Sequence, residues 1–139
     1  MKKEIIATCD GMIDETIKEI QRLVRRKSVR DVENAEPGKP FGRGVDNALN
    51  EFIEMAKEVG LETYKDVDGM YAYAEIGPKE GKLFGILGHV DVVPENDLEQ
   101  WTEAAPYSAD IVDEKIIGRG SLDDKGPVVI NLIDRKSVV

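Results

Sequence analysis

Apolar residues follow two rhythms along this chain, and the change comes near position 60. In the first part Ile13, Ile17, Ile20 and Val24 recur at three- and four-residue spacing, which puts them on one side of a helix. Asp14 and Glu15 come early in that stretch and Arg22, Arg25, Arg26 and Lys27 late, an order that suits the helix dipole at both ends. Residues 28–43, with Pro37, Gly38, Pro40 and Gly42, read as a loop. A second helix is expected over residues 45–59, where Ala48, Leu49, Phe52, Ile53 and Ala56 share a face and Gly60 is placed to end it.

Beyond that glycine the pattern is one of strands. Residues 61–67 and 70–76 flank Asp68 and Gly69, a pair that favours a hairpin turn. Gly77 to Gly81 then lead into Leu83, Phe84, Ile86 and Leu87, an apolar run without alternation, as in a strand buried on both faces. That run stops at His89 and Asp91. Ligands of open α/β sheets gather at the carboxyl ends of strands, so the histidine stands where such a fold keeps its chemistry. Residues 95–106 are polar, hold Trp101, and read as a long loop that is a candidate substrate wall.

Residues 107–112 and 115–117 read as short strands, the second running into Gly118-Arg119-Gly120-Ser121-Leu122-Asp123-Asp124-Lys125-Gly126-Pro127. After it Val128, Val129, Leu132 and Ile133 pair at helical spacing, and Pro127 suits the first helical position. Two aspartates just ahead of a helix are favoured by its dipole, which helps keep them ionised for a cation. No repeat or low-complexity segment is present. Arg135 to Val139 carry no capping signal, and the chain reads as cut rather than concluded.

Composition narrows this picture. A length of 139 residues suits one domain, and 41% hydrophobic with 34% charged residues suits a soluble globular one. A formal charge of -9 argues against nucleic acid or an anionic membrane as partner and favours metals or cationic groups. Cys9 is the single cysteine, which excludes an intrachain disulfide and a cysteine-based zinc cluster. The apolar run Ile5-Ile6-Ala7 is too short for a signal peptide core or a membrane span, so a reducing cytoplasm is the default location.

A neutral imidazole and carboxylates suit zinc in a hydrolytic site. On extended backbone Asp91 faces the same way as His89, which allows a carboxylate to hold one ring nitrogen and leave the other for a metal. His-x-Asp equally describes a histidine that is merely hydrogen-bonded at a strand end. Asp123 and Asp124 are equally suited to capping a helix after a glycine turn. Gly118-Arg119-Gly120 is not a dinucleotide fingerprint, because Asp123 stands where the third glycine belongs, and there is no phosphate-binding loop.

Taken together, Gly88-His89-Val90-Asp91-Val92-Val93-Pro94, the loop with Trp101 and Pro106, and the motif from Gly118 to Pro127 resemble the M20 family of dinuclear zinc peptidases. Ser28-Val29, Pro40-Phe41-Gly42 and residues 45–60 resemble its dipeptidase branch, the PepV-like and Xaa-His dipeptidases. The resemblance implies an α/β fold: a central mixed sheet with helices packed on it, the N-terminal part of a three-layer zinc-exopeptidase catalytic domain. Residues 1–139 would be that part, without the lid domain or the C-terminal half.

It further implies His89 as a ligand of one zinc, Asp123 as the carboxylate bridging two, and Asp91 as the catalytic-site residue that orients His89. Asp124, Gly120 and Gly126 would shape the site, and the Asp123–Asp124 peptide would be cis. The implied reaction is hydrolysis of a small peptide by a metal-activated water, with a glutamate as general base. In the family that glutamate and the remaining ligands follow the Asp-Asp-Lys-Gly motif, so the chain alone is expected to bind zinc weakly or not at all and to lack activity. The acidic loop between Pro94 and Trp101, and Asp113-Glu114 in place of an Asp-Gly turn, depart from the family pattern. Substrate-binding residues, the peptide cleaved and the oligomeric state are not legible. Two other readings stand beside this one: a non-enzymatic α/β binding module with His89 and Asp123 far apart, and a related M20 deacylase.

Overall fold

A computed structural model describes residues 2–136. Helix α1 (Lys2–Val24) is followed by α2 (Arg43–Glu58), strands β1 (Glu62–Lys65) and β2 (Ala72–Glu75), a 3-10 turn at Leu98–Gln100, strands β3 (Asp110–Val112) and β4 (Lys115–Ile117), and α3 (Lys125–Lys136). The chain is α/β, as the pattern predicts. Of the tail from Arg135, the first two residues continue α3 and residues 137–139 lie outside those described.

The first helix begins far earlier than its apolar stripe. Residues 2–12 contain no proline, and the helix runs through them with Ile5 and Ile6 exposed. Asp14 and Glu15 therefore sit in the middle of α1 and not at its positive pole; only the basic end, with Arg22 in the last turn, fits the dipole reading. Burial starts where the stripe reaches Ile20, Leu23 and Val24.

Helix α2 ends as expected. Gly60 has φ +84; its N–H donates to the Lys57 carbonyl at 2.9 Å, and the Leu61 N–H to the Ala56 carbonyl at 3.0 Å. This pair of bonds is the Schellman arrangement, which satisfies carbonyls the helix leaves open and needs a left-handed residue. Val45, Ala48, Ile53, Met55 and Ala56 are buried, while Leu49 and Phe52 pack at the margin. The core joins Ala48, Met55 and Ala56 to Leu23, Val24, Val90, Ala109, Val129, Leu132 and Ile133. Each buried valine, leucine, isoleucine or methionine among them contributes about 1.5–3 kcal/mol of burial.

The strands form two antiparallel hairpins, β1 with β2 and β3 with β4. In the first, Glu62 pairs with Glu75 and Lys65 with Ala72, and the turn is closed by the Gly69 N–H on the Asp66 carbonyl at 3.0 Å. Gly69, with φ +72, is thus the last residue of a four-residue turn. Asp113 and Glu114 join β3 to β4 with φ of 48° and 62°, the two-residue turn with both residues left-handed that matches strand twist.

The apolar run before His89 differs from expectation. It forms no strand, and Leu83, Phe84 and Leu87 are 85%, 84% and 99% exposed. A strand buried on both faces needs a neighbour on each edge and a layer over each face. The described residues supply one parallel bridge, Val29 to Val92, beyond the run, and the helices α1, α2 and α3 pack on one another and on the β1–β2 hairpin. The single central sheet is accordingly replaced by the two hairpins.

Candidate metal centre

Two segments build the site, and each has a local reason for its shape. Ser28, fully buried just past α1, donates from Oγ to the Val90 carbonyl at 2.6 Å, and its own carbonyl accepts the Val92 N–H at 3.0 Å. Val90 and Val92 point inward at 8% and 6% exposure, so the alternation of extended backbone turns His89 and Asp91 outward.

The second segment is the turn from Gly118 into α3. Gly120 has φ +93, and a Cβ there would stand 2.9 Å from Val92 Cγ1 and 3.1 Å from Lys125 Cδ. The Gly126 N–H donates to the Gly120 carbonyl at 3.3 Å, which closes the turn. The Val128 N–H donates to the Asp124 carbonyl at 2.9 Å, so Asp124 precedes the helix and Pro127 is its third residue, still among those whose N–H has no helical partner. The Asp123–Asp124 peptide is cis.

The two segments meet. The His89 N–H donates to Asp124 Oδ2 at 3.1 Å, a close approach that Gly88 permits, since a Cβ on it would be 2.8 Å from that oxygen. His89 Nδ1 lies 3.0 Å from the Asp91 carbonyl and 3.3 Å from Asp91 Oδ1. Its Nε2 lies 3.0 Å from Asp123 Oδ1. Asp91 thus faces the imidazole chiefly through its backbone carbonyl and secondarily through its carboxylate.

Every partner of this ring is an acceptor, whereas a neutral imidazole has one N–H and one lone pair. With Nδ1–H given to Asp91, the Nε2 lone pair faces a carboxylate oxygen, and that contact is repulsive unless something positive lies between them. Without a metal the remedy is a second proton. Burial pulls the imidazole pKa down, but the Asp91 carbonyl, the Asp123 carboxylate and the charges of Asp91 and Asp124 outweigh it and raise the pKa above its ordinary value.

With a metal the remedy is the ion itself. Two donors at about 2.0–2.1 Å from a tetrahedral zinc stand about 3.3 Å apart. The observed 3.0 Å fits that donor pair with little movement. Asp123 is 87% exposed, so the pair opens to the surface. Among the described residues no group of three or more histidine, cysteine, aspartate or glutamate side chains is arranged to hold a metal.

Arginines border the pair. A hollow of about 350 Å³ is lined by Val29, Arg30, His89, Asp91, Arg119 and Asp123 among others. The Arg30 guanidinium lies 5.1 Å from the Phe41 ring centre and that of Arg119 5.3 Å from Trp101, cation–π distances that brace both. Arg119 Nε is buried without a hydrogen-bond partner. Beyond Arg119 the 95–106 loop forms a second hollow with Glu95, Asp97 and Trp101. Glu95 accepts from Lys27 Nζ at 2.5 Å and Tyr107 OH at 2.9 Å, and its carbonyl from Trp101 Nε1 at 3.0 Å. The Lys27 bond, then its own backbone N–H and Tyr107, pull the Glu95 carboxyl down to about 2, while burial and Glu95 push the Tyr107 phenol up to about 12.

Sequence reasoning passed over Ser28, Glu95 and Arg119 as individual residues, and also Lys125. Lys125 is fully buried, donates to the Arg26 carbonyl at 2.5 Å, and is pushed down to about 8 by that burial. Its only sequence signal is its place in a motif, since a lysine is otherwise read as surface. Among the described residues no helix is long and apolar enough to cross a membrane.

Residues 85–133 match the description "Peptidase family M20/M25/M40". The chain is 40% identical over 116 residues to a protein named "Putative dipeptidase YtjP" of Bacillus subtilis (strain 168), covering 84% of this chain and 24% of that one. It is 39% identical over 116 residues to "Putative dipeptidase SSP1012" of Staphylococcus saprophyticus, with the same shares, and 38% identical over 129 residues to "Putative dipeptidase SH1171" of Staphylococcus haemolyticus, covering 93% and 26%. The chain thus spans about a quarter of the length of the curated relatives it matches. The matched stretch takes in both the His89 and the Asp123 segments, and by these similarities the chain resembles a fragment of an M20-type, dipeptidase-like protein.

Proposed function

We propose that this chain is the part of a dinuclear zinc dipeptidase that holds one end of the metal pair, His89 binding one ion and Asp123 bridging both. One observation carries the reading: a lone-pair nitrogen and a carboxylate oxygen face each other at 3.0 Å, an arrangement that calls for a cation between them. Zinc bound there would supply water activation and carbonyl polarisation. The residues of the chain do the rest of the work visible here. Asp91 fixes the Nδ1–H tautomer, which leaves Nε2 as the donor and raises its basicity. Asp124 holds the backbone of His89, so ring and carboxylate share one frame.

Two protein donors are too few for a structural or catalytic zinc, so the activity belongs to a protein that brings further ligands and a general base to this pair. The substrate we propose is a small unblocked peptide. A single exposed cysteine, Cys9, suits a reducing cytoplasm.

Calorimetric titration with zinc tests the reading in this chain and in a protein of the relatives' full length. The long form is expected to bind zinc and cleave dipeptides, and to lose both with His89→Ala or Asp123→Asn; the chain alone is expected to bind weakly or not at all. Zinc affinity and hydrolysis unaffected by either substitution in the long form would leave only the protonated ion pair, and the reading would be wrong.

A further inference from the structure

We propose that the short connection 26–28 is a clamp that sets the spacing of His89 and Asp123, and that Lys125 is the positioning residue of its second arm. The inference rests on the reading of His89 and Asp123 as one site. One arm of the clamp is Ser28, whose hydroxyl and carbonyl hold Val90 and Val92 on either side of Asp91. The other is Lys125, whose ammonium reaches the Arg26 carbonyl. The two halves of the site lie far apart in sequence, yet both are tied to backbone within three consecutive residues.

The packing makes the second arm stiff. The Lys125 stem lies beneath Gly120, close enough that a Cβ on that glycine would meet Cδ at 3.1 Å and Cγ at 3.4 Å. Its backbone directly follows Asp124. Lys125 is fully buried, and among the described residues no carboxylate pairs with it. Burying an ammonium against a single carbonyl is costly compared with an apolar side chain of the same length. A methionine would fill that space without the cost, but only a donor fixes the turn in register with Arg26. That register is what the ammonium supplies: it stops the 120–125 turn from sliding along the 89–92 segment.

The chain has one histidine, so long-range proton–nitrogen spectra of ¹⁵N-labelled protein read the His89 ring without ambiguity, and no metal is needed. The Asp123→Asn variant marks the ring signals when the carboxylate contact is lost. Lys125→Met keeps the stem and removes the donor; its ring signals are expected to move most of the way to that reference, while Lys125→Arg, which keeps a donor, stays nearer to wild type. Val129→Ala, which loosens the buried face of α3 without touching the clamp, is expected to lower the melting temperature and leave the ring signals in place. If Lys125→Met does not fold, Ser28→Ala decides by the same criterion through the other arm. Ring signals unchanged in the folded clamp variant, or moved as far by Val129→Ala, overturn the proposal. Because zinc is absent throughout, a failure to bind metal is read separately from a failure of the clamp.

Discussion

Adding one methyl group at Gly126 tests how tightly the turn that carries Asp123 is wound. A Cβ there would stand 2.0 Å from the Ser121 carbonyl oxygen and 3.2 Å from its carbon. Carbon and oxygen approach no closer than about 3.3 Å without repulsion, so the turn has to open by about 1.3 Å. The obstacle is backbone and cannot rotate aside. Opening the turn also stretches the bond from the Gly126 N–H to the Gly120 carbonyl, now 3.3 Å. Overpacking costs about 1–3 kcal/mol and a lost hydrogen bond about 1 kcal/mol, giving about 2–4 kcal/mol together. For a chain of this size that is a fall in melting temperature of about 6–15 °C. Thermal unfolding followed by circular dichroism reads it, with Gly85→Ala as control because nothing lies within 4 Å of a Cβ at that position. The control is expected within about 2 °C of wild type. Gly126→Ala melting with the control would refute the tight turn.

Five further outcomes follow from the geometry. Glu114→Gly, at φ 62, relieves a left-handed residue and is expected to stabilise the chain by about 1 kcal/mol in denaturant unfolding. The His89 imidazole, its pKa raised in the folded state, contributes stability that is complete below its unfolded value of about 6.5 and is lost as pH rises through the folded value; NMR titration with and without Asp123→Asn checks the sign. In Glu95→Gln the Tyr107 phenol is expected to fall from about 12 yet stay above its ordinary value, because burial remains, as an ultraviolet absorbance titration shows. The same Glu95 carboxylate, pulled down to about 2, contributes stability present above its unfolded pKa and lost as pH falls through the folded value. Exposed Leu83, Phe84 and Leu87 are expected to drive self-association, which Phe84→Glu with Leu87→Lys reduces in sedimentation velocity.

The sequence carried α2 almost whole, because a helical stripe and a terminal glycine at position 60 are local signals. The β3–β4 hairpin was legible as two strands, but not its turn: Asp113-Glu114 lacks the glycine that marks left-handed backbone. The run at 83–88 misled, since an apolar stretch reports a need for burial and says nothing about what covers it. Asp14 and Glu15 misled in a smaller way, because the start of α1 is set by helix-forming residues ahead of its apolar stripe. That His89 and Asp123 meet was legible only through the joint motif; neither periodicity nor spacing brings residues so far apart together. Lys125 was hidden by its type, as the burial of a lysine depends on a carbonyl contributed by another part of the chain.

Leu83 to Leu87, outside any helix or strand and exposed, is the kind of backbone that a protease cleft can take up. A single cut there divides the molecule into a piece with α1, α2 and the first hairpin and a piece with His89, the second hairpin and α3. The seam between those pieces is the α1–α3 packing together with the Ser28–Val90 and Lys125–Arg26 bonds, all of which span the cut and none of which it breaks. The nicked protein is therefore expected to stay assembled, and the two pieces, produced separately and mixed, to reconstitute the imidazole–carboxylate pair without a covalent link.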